Sequence, residues 1–118
     1  MVPIVRSSTG TTESRFFCNA LALSTDERQR YGELAQALRD AVSETRERER
    51  GLSFRIELER MSLPLLAEWV ALERRCCPFF ELTIEVGPER SSTWLTLAGE
   101  EGVKDFIRQE LALVAGHG

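Results

Sequence analysis

Three features of the sequence predict an α+β domain. Apolar residues recur at three- and four-residue spacing in some stretches, alternate with polar residues in others, and capping or turn residues separate the two kinds. The expected order is β-α-β-α-β-β-α in a single domain. Strands with one wet side imply a four-stranded sheet with helices mainly on one face.

The elements follow in chain order. Residues 1–14, with Ser7-Ser8-Thr9-Gly10-Thr11-Thr12 among them, read as a disordered polar arm ahead of a domain spanning 15–115. Arg15 to Leu23 reads as an interior strand, apolar on both faces. Ser24-Thr25-Asp26-Glu27 is a capping box in which serine and glutamate each accept a backbone N–H. Tyr31, Leu34, Ala35, Leu38, Ala41 and Val42 then predict a long helix reaching Arg50, stopped by Gly51.

Leu52, Phe54, Ile56 and Leu58 alternate with Ser53, Arg55, Glu57 and Glu59, giving a half-buried strand. Ser62 and Pro64 open a second helix with the stripe Leu65, Leu66, Trp69, Val70 and Leu72. That spacing runs on to Glu73, Cys76 and Cys77 before Pro78 ends the helix. Phe80 to Val86 and Thr93 to Leu97 form a hairpin around a turn at residues 87–92. Val103, Phe106, Ile107, Glu110, Leu111 and Val114 mark a last amphipathic helix, and residues 116–118 a frayed tail.

Composition narrows the function classes. The chain has 118 residues and a net charge of −4, which disfavours nucleic acid as a partner. All the basic residues except Lys104 are arginine, a bias that fits a GC-rich bacterial genome. No apolar run approaches the roughly 20 residues that cross a bilayer, and the N-terminus lacks signal-peptide character. A cytoplasmic location without membrane partners is therefore expected. In such a compartment the odd cysteine count points to reduced thiols rather than a disulfide scaffold.

The chemistry concentrates in Glu73-Arg74-Arg75-Cys76-Cys77-Pro78-Phe79-Phe80. Adjacent sulfurs can converge on one soft ion where proline breaks the helix, and soft thiolates suit Hg(II), Cu(I), As(III) or Zn(II). Cys18 is a candidate third ligand, leaving the set one short of the four that structural zinc takes. Glu73 is a candidate proton acceptor or supporting group beside the thiols, and Arg74 a charge partner. The plain alternative is that these cysteines pack as small hydrophobes. The only histidine, His117, stands in the tail, and no nucleotide-binding or hydrolase motif is present.

The stretch Leu66 to Phe80 resembles the signature of small bacterial proteins of unassigned function with a Glu-x-x-Cys-Cys-Pro-Phe core. Cys18, the segment Gly51-Leu52-Ser53-Phe54-Arg55 and the run Trp94-Leu95-Thr96-Leu97-Ala98-Gly99 are similar to further parts of that pattern. Some of those proteins resemble segments associated with mercury-responsive regulators, which implies thiophilic metals. The sequence therefore leads to a small thiol protein that binds or senses a soft metal or oxidant through Cys76 and Cys77. The competing reading is a non-catalytic homodimeric domain using the open sheet face around Trp94. A thiol enzyme is the weakest, because no base is evident beyond Glu73.

Overall fold

The computed structural model describes residues 18–89 and 92–110. The expected arm and tail lie outside them. The observed elements are a 3-10 turn at Ala20–Ala22, α1 (Thr25–Ala41), β1 (Val42–Glu47), β2 (Gly51–Ile56), α2 (Leu63–Cys76), β3 (Glu81–Val86), β4 (Thr93–Ala98) and α3 (Val103–Glu110). The class is α+β, and the strands form one four-stranded sheet in the order β1-β2-β4-β3. Every neighbouring pair is antiparallel. β2 and β3 consequently run parallel with β4 between them, and α2 makes the crossover.

Two segments differ from the sequence expectation. From Cys18 onward the chain is not a strand. It turns at Ala20–Ala22, leaving Leu21 83% exposed while Leu23 is buried. The other strand comes instead from the second half of the expected long helix. The apolar stripe of α1 ends at Val42, so a helix continued over residues 43–50 would bury nothing. As a strand, Val42–Glu47 pairs with β2 and satisfies its backbone there, with a register shift between Val42 and Glu44.

Gly51 accordingly opens β2 rather than closing a helix. A Cβ at this position would collide with the Leu97 carbonyl oxygen of β4. The strands can approach only because glycine carries none.

The capping box of α1 is formed as read. Ser24 Oγ accepts from Glu27 N at 3.1 Å, and Glu27 Oε1 accepts from Ser24 N at 2.8 Å. Register then sorts the sheet. Phe54, Leu95 and Ile84 lie side by side on the covered face, as do Leu52, Leu97 and Leu82. The core is completed by Leu34 and Leu38 of α1, Leu66 and Trp69 of α2, and Val103 and Ile107 of α3. Burying each large side chain contributes about 1.5–3 kcal/mol before entropy is counted.

The opposite face carries Glu44, Arg55, Trp94 and Glu85 in one row and Arg46, Ser53, Thr96 and Thr83 in the next. Arg46 lies over the Trp94 ring at 4.6 Å. Arg55 reaches Glu44 at 3.4 Å and Glu57 at 3.8 Å. No helix among the described residues is long and apolar enough to cross a membrane.

Candidate functional site

The end of α2 places the cysteines. Cys76 is the last helical residue, and Cys77 is its C-cap, with φ −129° and ψ 70° and its N–H donating to Glu73 O. Leaving helical geometry at Cys77 swings its side chain off the stripe that Cys76 continues, so both sulfurs face one small volume. Pro78 enforces the break. Phe80 N donates back to Cys77 O at 3.3 Å and closes the turn. Phe79, Phe80 and Phe106 then pack as a trio with centroids 4.8–6.0 Å apart, fixing the turn against α3.

Cys18 completes the cluster. The sulfurs of Cys18, Cys76 and Cys77 all lie within 4.8 Å of one another. Cys18 and Cys77 are joined as a disulfide with their α-carbons 4.6 Å apart. Cys76 stands outside that disulfide, its sulfur 3.7 Å from that of Cys77. This corrects the expectation of reduced thiols throughout. Cysteine count says nothing about which sulfurs the fold brings into bonding contact. Cys76 and Cys77 are buried at 2% and 0% exposure, whereas Cys18 is half-buried.

The segment carrying Cys18 is a strap across the end of α2. Asn19 N donates to Cys76 O at 2.7 Å, satisfying one of the carbonyls that a helix C-terminus leaves open. Asn19 Oδ1 accepts from Leu21 N, and Asn19 O from Ala22 N, which shape the turn. Arg75 ties down the far end, donating through Nη2 to Ala22 O at 3.0 Å. It also grips Glu27 with both terminal nitrogens, at 2.7 and 3.1 Å. The Arg75 hydrogen bond, with help from the Ser24 backbone, holds the Glu27 carboxyl at about 2. Arg28 donates to Leu23 O at 2.9 Å.

Glu73 is 3% exposed and accepts from the Tyr31 hydroxyl at 2.6 Å. Its backbone holds Cys77, but its carboxylate is not among the group of converging ligand atoms. Arg74 is exposed and enters no ion pair among the described residues; the arginine that works at this site is its neighbour Arg75. Arg75 and Tyr31 are the residues the sequence reading missed. Tyr31 carried a signal, since a tyrosine on a buried stripe needs a partner for its hydroxyl. Arg75 carried none, because its partners lie about fifty residues away.

Among the described residues, the donor set is three soft sulfurs with no histidine or carboxylate. Reduced, it could hold an ion content with two or three thiolates. Oxidised, two of the three donors are consumed by the disulfide. No protein-family model matches the chain, and no curated protein or solved structure matches it either.

Proposed function

We propose that the protein is a small thiol protein whose reduced state binds a soft ion through Cys18, Cys76 and Cys77, and whose oxidised state closes Cys18–Cys77. The observation that carries this reading is the convergence of three sulfurs within 4.8 Å at a helix end whose backbone is hydrogen-bonded to Asn19 and Phe80. Packing alone asks for no such convergence, and burial of the sulfurs keeps competing water away from a bound ion.

Among the ions that thiolates select, those satisfied by two or three sulfurs suit this set: Hg(II), Cu(I) and As(III). Zinc would want a fourth ligand that the described residues do not bring near. The resemblance to proteins associated with mercury-responsive regulators points the same way. A reducing cytoplasm would keep the site open for the ion, and an oxidant would shut it. Holding the ion is a binding role, closing the disulfide is a thiol oxidation, and neither requires a base positioned for catalysis.

The alternative, docking of a second copy on the open sheet face, has less support. Arg55 is already engaged with Glu44 and Glu57, and Arg46 covers Trp94, so that face resembles a solvated surface more than an apolar patch.

Native mass spectrometry tests the reading. The reduced protein is expected to take up one As(III) per chain with loss of three thiol protons, and the oxidised protein none. Cys→Ser at each of the three positions should abolish the three-proton product. Absence of any arsenic adduct on reduced, folded wild type would sink the ion-binding role. At a free ion concentration 100-fold above Kd, the native state should gain about 2.7 kcal/mol, read as a raised Tm.

A further inference from the structure

The three sulfurs are not equivalent, and their differences assign an order of reaction. Thiol–disulfide exchange needs direct approach of an attacking sulfur along the bond it breaks, so access decides which sulfur is attacked. Cys77 is fully buried and Cys76 nearly so, while Cys18 is half-buried on a strap whose neighbours Asn19, Leu21 and Ala22 face solvent. We propose that the protein exchanges disulfides with small thiols and small disulfides in a fixed order, Cys18 being the sulfur that reacts with the external molecule and Cys77 the one that resolves it. This rests on reading the cluster as chemically reactive, and it adds the substrate class and the role of each sulfur.

In the reduced protein the Cys18 thiolate attacks a small disulfide RS–SR, forming Cys18–S–SR and releasing RS⁻. The Cys77 thiolate then attacks the Cys18 sulfur, forming Cys18–Cys77 and releasing a second RS⁻. The protons lost by the two protein thiols end on the two released thiolates. One small disulfide is reduced, and one protein dithiol is oxidised. The reverse direction begins with a small thiolate attacking Cys18 and expelling Cys77.

Two features of the fold favour the second step. The strap stays anchored without the disulfide, through Asn19 N to Cys76 O, Arg75 to Ala22 O and Arg28 to Leu23 O. Cys18 therefore remains beside Cys77 while it carries the external group, and resolution is intramolecular. Cys76, 3.7 Å from the Cys77 sulfur, can donate its S–H to the Cys77 thiolate as that leaves or attacks. It is the thiol left over after the cycle closes.

Oxidised glutathione is the probe. Trypsin cuts at Arg28 and Arg75, so Cys18 and the adjacent pair fall on separate peptides that mass spectrometry reads independently. Reduced wild type should end with Cys18–Cys77 closed and no glutathione retained. Cys77→Ser should hold one glutathione on Cys18. Cys18→Ser should react more slowly by a factor of roughly ten or more, because its remaining sulfurs are buried. Glutathione held mainly on Cys76 in Cys77→Ser, or wild-type reactivity in Cys18→Ser, would overturn the order.

A measurement on wild type alone guards against variants that do not fold. Oxidised wild type is treated briefly with reduced glutathione, quenched in acid, alkylated in denaturant and mapped. Glutathione on the Cys18 peptide supports the proposal, and glutathione on Cys77 defeats it. Arsenic uptake by the reduced protein is scored separately. A protein that exchanges in this order without binding As(III) fails only the ion reading, and one that binds As(III) but reacts first at the pair fails only this one.

Discussion

At the scale of single residues, the site depends on buried polar groups that have found partners. Glu73 is buried on α2 along with Trp69 and Cys76, and the Tyr31 hydroxyl is one of the donors that make that position tolerable. Tyr31→Phe removes the donor and leaves the ring. It should cost about 1–3 kcal/mol in urea denaturation, with the slope unchanged. The Tyr31 ring stacks near Trp69 at 6.4 Å, so the phenylalanine variant should keep that contact. A loss indistinguishable from zero would mean that the hydroxyl contributes nothing to holding Glu73. Arg75 shows how local the sequence signal is. It and Arg74 look interchangeable along the chain, yet only Arg75 meets Glu27 and the Ala22 carbonyl.

The elements bring in pH and packing. Glu27 closes the cap of α1 and receives Arg75 from α2, so it joins two helices and the strap. Its carboxyl is held at about 2 against a usual 4.5. A folded pKa below the unfolded one means stability present above about 4.5 and lost as pH falls toward 2. Glu27→Gln keeps a side chain able to cap but removes the charge. The difference in Tm between wild type and this variant should hold steady from neutral pH to about pH 5 and shrink toward pH 2. A constant difference down to pH 2 would contradict the role of the Arg75 contact. At β2, Gly51→Ala drives a methyl into backbone of β4 that cannot yield. The expected loss is about 3 kcal/mol or more, measured by thermal or urea unfolding.

For the whole molecule, the disulfide ties residue 18 to residue 77, a sequence separation of 59. Closing a loop of that length in the unfolded chain should stabilise the oxidised protein by about 4 kcal/mol. The check is a pair of urea titrations, oxidised and reduced. Equal midpoints would show that the link adds nothing to the strap's hydrogen bonds. The cross-link encloses α1, β1, β2 and α2, so the redox state of one bond acts on most of the fold while leaving β3, β4 and α3 outside the loop. Under the proposed function, a bound ion would couple the same two chain positions in the reduced state, and metal and oxidant would then act on one site as alternatives.

The sequence by itself determined the class of fold, the cap at Ser24, the helix ending at Cys76 before Pro78 and the hairpin of β3 with β4. Each is written in residues a few positions apart, through periodicity, capping chemistry or the backbone restriction of proline. It also singled out the cysteines that cluster at that helix end, because adjacent cysteines before a proline are conspicuous in any context. It misplaced the first strand and overran α1. An alternating charged run such as Ser43 to Glu49 suits an exposed helix or an edge strand equally, and only pairing with β2 chooses between them. The tertiary structure alone decided which sulfurs meet, which one faces solvent and which arginine holds the strap. Those are distances between atoms far apart in the chain, and they are fixed by packing against a sheet, which no local pattern encodes.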